Sequence, residues 1–295
     1  MKIKTITCII KTTQYERYLK SPLWKKLPSE KKESLRQEHQ HHTAFVAALQ
    51  HYLRKEFRFK VTYSKSASRI PATTKKAAAT DLIMTVGGDG TFLEAAQYAG
   101  KIPIVGVNSN YQPDPKHGSI GALTSIDSRN FRERLGRLQR GGFIMQKLPL
   151  LTVKVNGKIM PQHAVNEIFI GNKKSYKSTD ITVAFGQQKE RFNCSGIIIA
   201  TPIGAQAWYS NAGGKPFAED SFAFLLRETN QDRKPLFTSG VVSQKGRLLI
   251  YPNTEHQIIS CDSRDDVIPL QPGDKVEVEL GKRFLRRIVF EQKIF

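Results

Sequence analysis

One carboxylate set among three glycines, in Gly87-Gly88-Asp89-Gly90-Thr91, is the stretch of this chain best suited to chemistry. It follows a short apolar run, Leu82 to Val86, and precedes a segment of helical spacing that begins near Thr91. Glycines let a backbone approach a ligand closely and take φ values that other residues avoid. Where a strand ends and a helix starts, N–H groups and the helix dipole favour a bound anion, phosphate above all. A carboxylate in such a cradle repels that anion. It makes sense if Asp89 takes a proton from an attacking hydroxyl or helps to hold a metal ion, which points to phosphoryl transfer rather than nucleotide binding alone. The segment is not a Walker loop, because no lysine follows the last glycine, and it lacks the third glycine of a dinucleotide fingerprint. The plain alternative is an Asp-Gly turn without chemistry.

Two later constellations bear on the substrate. In Val165-Asn166-Glu167-Ile168 an amide and a carboxylate stand together. Such a pair reads a base edge or ribose hydroxyls well, and it also occurs as the polar rim of a strand. Ser195 to Gly214 reads SGIIIATPIGAQAWYSNAGG. A glycine-dense loop with Thr201, behind the strand-like Ile197 to Ala200, allows backbone contact with a flat base. Trp208 can stack on that base or fill core. His39, His41 and His42 fall in a helix, His39 and His42 on one face; the glutamines around them make this an exposed polar face rather than a metal site. Cys8, Cys194 and Cys261 are far apart and odd in number, which implies neither a disulfide framework nor a zinc site and reads as a reducing compartment. Cys194 reads as a small buried residue.

The elements that position these groups change character along the chain. Ile3 to Ile10, Phe59 to Tyr63, Leu82 to Val86 and Ile102 to Val107 read as strands. Between them Ser29 can cap a long helix whose apolar residues Leu35, Phe45, Leu49, Tyr52 and Leu53 fall near helical spacing. Helices also fit Thr91 to Ala99 and Ser128 to Arg140. This alternation predicts a parallel sheet with helices on its faces and the Gly87–Thr91 turn at the carboxyl edge, where such sheets bind ligands. From Leu148 on, short β segments follow one another, separated by Asn156-Gly157, Gly171-Asn172 and Gly186-Gln187, which predicts a mostly antiparallel, sandwich-like β domain. The expected division is an α/β domain over residues 1–126, a β-rich domain over 127–270, and C-terminal strands over 271–295 that pack back on the first domain.

The glycine–aspartate turn resembles that of a superfamily containing NAD kinases, 6-phosphofructokinases and the diacylglycerol and sphingosine lipid kinases. The later segments narrow this. Asn166-Glu167 is similar to the Asn-Glu motif of NAD kinases (ATP/polyphosphate-NAD kinases). Ser195 to Gly214 resembles their signature of Asp-Gly, four apolar residues, then TPTGSTAYSLSAGG, with Thr201-Pro202, Gly204, Ala207 and Ala212-Gly213-Gly214 in common. Gly106-Val107-Asn108 resembles the family's Gly-x-Asn, with Ser109 to His117 inserted before Gly118. Ser260 to Ser263, with Gln271-Pro272-Gly273-Asp274, resembles its closing Asp-Gly and Pro-Gly-Asp turn. The resemblance runs from about residue 80 to 280. Ser195, Ile203, Ala205, Gln206, Trp208 and Asn211 depart from the usual residues, several of them in ways similar to the mitochondrial-type branch.

The resemblance implies a kinase that phosphorylates the adenosine-ribose 2′-hydroxyl of NAD with ATP or polyphosphate and a divalent metal such as Mg²⁺. Asp89 would accept the hydroxyl proton. Gly87, Gly88, Gly90 and Thr91 would hold phosphates, and Asn166, Glu167, Ser195, Thr201, Gln206, Ala207, Trp208 and Asn211 would bind NAD. Asn108 and Asp262 are further candidates. A homodimer or homotetramer is implied. The alternatives are a related kinase acting on NADH or a lipid hydroxyl, and a basic nucleic-acid-binding protein.

Composition bounds these readings. Hydrophobic residues at 39% and charged residues at 24% of 295 describe a globular chain with a sizeable core. No apolar run approaches the roughly 18 residues of a membrane span, and the N-terminal residues lack the look of a secretory or transit leader. The expectation is a cytoplasmic protein. Lys plus Arg number 46 against 26 acids, a charge of +20 that attracts polyanions. No zinc-finger spacing or RNP-like motif accompanies it, so the charge is assigned to solvation and the steering of phosphate-rich substrates.

Overall fold

The structure, a computed structural model, describes residues 3–65, 80–111, 121–230 and 234–291. The segment from residue 112 to His117 lies outside the described residues. Apolar strands alternating with helices build the first of two compact units, Met1–Lys147 with Leu285–Lys293. Its elements are β1 (Thr5–Ile10), α1 (Gln14–Leu19), α2 (Leu23–Lys26), α3 (Ser29–Glu56), β2 (Lys60–Ser64), β3 (Leu82–Gly87), α4 (Asp89–Ala99), β4 (Ile104–Asn108) and α5 (Phe131–Arg140). The strands run in the order β2-β1-β3-β4, and every neighbouring pair is parallel. All residues of β3 and β4 are buried, as expected for strands covered on both faces. The register pairs Gly87 with Asn108, so β3 and β4 end side by side at the carboxyl edge. On α3, Leu35, Phe45, Leu49 and Leu53 turn inward as their spacing predicts, and Phe45, Leu49 and Leu53 join Ile6, Cys8, Met84 and Val105 in one core. Each such buried side chain contributes about 1.5–3 kcal/mol.

Several boundaries differ from expectation by one to three residues, among them the starts of β1, β4 and α5, and two differ for a local reason. Pro28 occupies the cap position of α3 and Ser29 is its first helical residue, with no side-chain cap bond, because the extended Pro28 already sets the entry direction. The helix after the glycine turn begins at Asp89, two residues before Thr91; Gly88 is the cap and the acid lies in the first turn, where the dipole favours it.

The second unit, Leu148–Phe284, is built of short strands. β5 (Ile144–Val155) leads into it, followed by β6 (Lys158–Ala164), β7 (Glu167–Asn172), β8 (Thr179–Phe185), β9 (Gln188–Cys194), β10 (Gly196–Ala200), a 3-10 turn at Gly204–Gln206, α6 (Trp208–Asn211), β11 (Ser221–Arg227), β12 (Ser239–Ser243), β13 (Leu248–Pro252), β14 (Gln257–Cys261), β15 (Ile268–Leu270) and β16 (Val276–Val289). One sheet has the order β12-β11-β10-β7-β14-β15; in the other, β16-β13-β8-β9 are neighbours and β5 pairs with β16 and β6. Pairing between neighbours in this unit is antiparallel. Alternate residues of the two sheets, among them Ile181 and Val183 from one and Ile197 and Ile199 from the other, fill a common core, which is the predicted sandwich. The predicted Asn156-Gly157 turn joins β5 to β6 with both φ angles positive, 50° and 80°, the hairpin geometry this dipeptide favours. The end of β16 belongs to the first unit, where Arg287 pairs in parallel with Ile104 of β4.

Candidate active site

In the first unit the chemistry gathers where β3 and β4 end. Asp89 opens α4 with no side-chain cap at Gly88. Its carboxylate accepts from the N–H groups of Ala122 (3.0 Å) and Leu123 (2.9 Å), so it holds a loop 33 residues away in sequence. That loop turns at Gly121, whose φ of +70° favours glycine. Asn108 is 1% exposed and lies against the same loop: its amide would meet a Cβ added at Gly121 at 2.7 Å. Asn108 Oδ1 also accepts from the Asn110 N–H at 3.1 Å. The structure therefore brings Asp89 and Asn108 onto one loop. The glycines act through space rather than through φ, which corrects part of the sequence reading. Gly88 is extended, with φ −98°, and none of Gly87, Gly88 and Gly90 takes a positive φ. A side chain at Gly87 would run into Thr91 Oγ1 and come within 2.9 Å of Lys11 Cβ, while one at Gly90 would meet nothing.

A cleft of about 580 Å³ opens at this turn. Its wall includes Gly88, Gly90, Thr91 and Glu94 and three cations, Lys11, Arg17 and Lys65. Lys65 is paired with Glu16. Lys11 forms no ion pair among the described residues; burial lowers its pKa, and Glu38 opposes that shift through space. An open helix N-terminus beside an unpaired, half-buried cation makes a site for an anion.

In the second unit a different set converges. Asp262, 6% exposed, accepts from the N–H groups of Val165 (2.9 Å), Asn166 (2.7 Å) and Glu167 (3.3 Å). Asp262 and Ser263 both sit in the left-handed region, with φ 52° and 55°. Thr201, fully buried, donates to Val165 O at 2.6 Å, and its own N–H donates to Asn166 O at 2.9 Å. Thr201 Oγ1 in turn accepts from Gly204 N–H at 3.0 Å. Any side chain at Gly204 would collide with the Asn166 backbone. Two separate stretches of chain, one at Asp262 and one at Thr201 and Gly204, thus clamp Asn166-Glu167. Glu167 is 5% exposed and its Oε2 has no partner among the described residues. Burial and the charge of Asp262 push Glu167 up to about 8; burial also lifts Asp262, to about 6, against the three N–H bonds that pull it down. At neutral pH Asp262 carries the charge and Glu167 holds a proton it can donate.

Other predicted residues are placed apart. Ser195 precedes β10 and Thr201 follows it, which by strand geometry separates them by about 20 Å. Ser195 N–H donates to Arg227 O at 2.9 Å. Trp208 is half-buried, its ring 5.3 Å from that of Phe169 and 5.5 Å from the Arg227 guanidinium, so part of its surface is already used. Gln206 and Asn211 are exposed and Ala207 is half-buried. The expected exposed histidine face is corrected: His42 is 3% exposed and bonds Ser109 Oγ at 2.7 Å, and His39 bonds Thr13 and stacks on Tyr15; His41 alone of the three is exposed. Cys194 is buried and free, as expected. The sequence reading passed over Lys11, Arg17, Glu94 and Arg287. Thr13-Gln14-Tyr15-Glu16, which forms a full capping box for α1, is the signal that places Lys11 and Arg17 around a helix start at the end of β1.

Residues 12–143 match the model of the ATP-NAD kinase N-terminal domain, and residues 145–289 that of the ATP-NAD kinase C-terminal domain. A probable NADH kinase of Oryza sativa subsp. japonica is 29% identical over 236 residues, 72% of this chain and 71% of that one. An NAD kinase of Corynebacterium glutamicum is 30% identical over 224 residues, 73% of this chain and 74% of that one. Two solved structures share the fold. A crystal structure of an NAD kinase from Archaeoglobus fulgidus in complex with ATP superposes with a TM-score of 0.64 at 20% identity, covering 98% of this chain and 94% of that one. A structure of yeast NADH kinase complexed with NADH superposes with 0.69 at 17% identity, covering 98% and 84%.

Proposed function

The chain belongs to the ATP-NAD kinase family, and from that premise we propose that it transfers the terminal phosphoryl group of ATP to the 2′-hydroxyl of the adenosine ribose of NAD, giving NADP and ADP. The observation that supports it most is Asp89 at the open N-terminus of α4, beside a cationic cleft whose wall includes Gly88, Gly90 and Thr91. Gly88, Gly90, Thr91 and the first turn of α4 take the donor phosphates, with Lys11 and Arg17 offsetting their charge. Gly87 lets Thr91 and Lys11 close over the turn. Asp89 accepts the proton of the 2′-hydroxyl as its oxygen bonds to phosphorus and the bond to the leaving diphosphate breaks; a positioned base contributes roughly 10²- to 10⁴-fold. Asn108 fixes the loop against which Asp89 is braced. Asn166 and the protonated Glu167 hold ribose hydroxyls or the nicotinamide side, Asp262 positions them, and Thr201 with Gln206, Ala207, Trp208 and Asn211 lies toward the adenine. Ser195, at the far end of β10, bears on the NAD pocket through Arg227 and Trp208.

A divalent metal, magnesium by expectation, belongs to the same proposal. Among the described residues no three or more His, Cys, Asp or Glu cluster as a metal site. Magnesium needs only one or two carboxylates beside phosphate oxygens and water, and Glu94, in the cleft wall with Gly88, Gly90 and Thr91, fits that demand and would hold it. When bound it offsets charge on the transferred group. The cationic cleft suits polyphosphate as well as ATP, so both donors enter the assay.

A coupled assay of the purified chain with NAD, ATP and magnesium tests the proposal. NADP formation is expected; none above the level of an Asp89→Asn control sinks it. NADH is the second reading, favoured by the altered stretch from Ile203 to Trp208 and by the two NADH kinase relatives. NAD, NADH and diacylglycerol run side by side decide between the acceptors. We further place the enzyme in a reducing cytoplasm, which its three buried free cysteines support; no helix among the described residues is long and apolar enough to cross a membrane. A homodimer or homotetramer is the expected assembly, supported by Val241 (52% exposed) on β12, a strand at the edge of its sheet, and by Leu236 (67%) just before it. Light scattering reads the mass directly.

A further inference from the structure

The largest fully buried side chain among the described residues is charged. Arg287, on β16, is 0% exposed, and its backbone neighbour across the sheet is Ile104. A buried guanidinium is tolerated where it is hydrogen-bonded and offset by a nearby anion. Its Nη2 donates to Ala122 O at 2.8 Å. The same peptide unit, from the Ala122 carbonyl to the Leu123 N–H, donates at its other end to Asp89 Oδ1 at 2.9 Å. The Ala122 N–H adds a bond of 3.0 Å to Asp89 Oδ2. One peptide therefore lies between a buried cation and a carboxylate, with its dipole aligned to both, an arrangement in which each hydrogen bond strengthens the next. Burial lowers the Arg287 pKa to about 10, and Asp89 is the group that pushes it back up. Arg287 stays charged at neutral pH and, itself fully buried, keeps its influence on Asp89.

We propose that Arg287 is the positioning residue of Asp89: through the Ala122–Leu123 peptide it fixes the direction of the carboxylate and leaves the remaining lone pairs facing the acceptor hydroxyl. A carboxylate offers about four lone-pair directions, of which the loop takes two. The inference rests on the reading of Asp89 as the base. It also explains why Arg287, unlike the exposed Arg286 beside it, is buried with Leu285, Ile288 and Val289. Arg287 itself touches no substrate.

The test uses the full chain and follows kcat and KM for ATP and for NAD. Arg287→Met removes the charge at similar length. It should lower kcat by about 10- to 100-fold, the usual scale for a group that orients a reacting one, with both KM values within about threefold. Arg287→Lys keeps the charge and should recover most of the loss. In an Asp89→Asn background Arg287→Met should cost almost nothing further, because the group it orients is gone. Should the methionine variant fail to fold, Arg287→Gln replaces it with the same expectation. Multiplying effects of Arg287→Met and Asp89→Asn overturn the inference, as does a rise in KM with kcat unchanged, or a lysine variant no better than methionine. Asp89→Asn with wild-type kcat overturns the base reading itself. Inactive Asp89→Asn alongside Arg287→Met at wild-type kcat overturns only the role of Arg287.

Discussion

Asp89 and Glu167 are two carboxylates at two turns, and their surroundings set them different tasks. Asp89 is half-buried at a helix start, braced by two N–H bonds, and in the proposed reaction accepts a proton. Replacing it with asparagine keeps shape and removes the base, so kcat should fall by about 10²- to 10⁴-fold while both KM values change little. A fall confined to KM would mean that Asp89 only shapes the turn. Glu167 is buried beside the charged Asp262 and is pushed up to about 8, so at pH 7 it acts as a neutral acid. Glutamine is close in shape and also offers a donor and an acceptor. Glu167→Gln should therefore keep KM for NAD within about threefold at pH 7, whereas Glu167→Ala, which deletes a buried hydrogen bond of roughly 1–3 kcal/mol, should raise it by about tenfold or more. If glutamine is as damaging as alanine, the residue works ionised and the assignment of its proton fails.

At the scale of elements, the turns rather than the strands carry specificity. Gly204 shows this. The 3-10 turn at Gly204–Gln206 presses on Asn166 so closely that a single methyl would displace it. Gly204→Ala should raise KM for NAD by about tenfold while KM for ATP holds, because the donor turn lies in the other unit; the scale is that of a reacting or binding group misplaced by about 1 Å. Equal rises in both KM values would contradict it. The same turn shows how much was legible beforehand. Local signals were: the apolar run Leu82 to Val86, the Asn156-Gly157 hairpin, and the period of Leu35, Phe45, Leu49 and Leu53 each name their element, because the information lies within a few residues. Asp89 and Asn166-Glu167 stand out by residue type alone. What escaped depends on distant partners. Nothing near Arg287 says that residue 122 will meet it, and His42 looks like its exposed neighbour His41 until Ser109 of β4's end arrives beside it. The left-handed φ of Ser263, 55°, likewise sits beside Asp262, whose carboxylate reaches residues 165 to 167.

At the scale of the whole molecule, the two units carry buried titrating groups that answer pH in opposite senses. In the first unit His42 is driven down to about 4, chiefly by burial, with Lys11 adding to it. A histidine that stays neutral when folded binds fewer protons than in the unfolded chain, where its pKa is about 6.5. Its contribution is complete above pH 6.5 and is lost as pH falls toward 4. In the second unit Glu167 is raised to about 8, so the folded state binds the extra proton between 4.5 and 8 and stability is lost as pH rises through that range. Asp262, raised to about 6, has the same sign at lower pH. The chain has two tryptophans, and they fall one in each unit: Trp24 on α2 and Trp208 on α6. Single-tryptophan variants, Trp208→Phe and Trp24→Phe, therefore report each unit separately in denaturant titrations. The Trp24 signal should lose about 2 kcal/mol between pH 6.5 and 5, at 1.36 kcal/mol per unit, and a His42→Gln variant should be flat there. The Trp208 signal should lose about 2 kcal/mol between pH 6.5 and 8, and Glu167→Gln should abolish that slope. Parallel slopes for the two tryptophans would show that the units unfold as one cooperative block; slopes unchanged by His42→Gln and Glu167→Gln would show that other groups set the pH response.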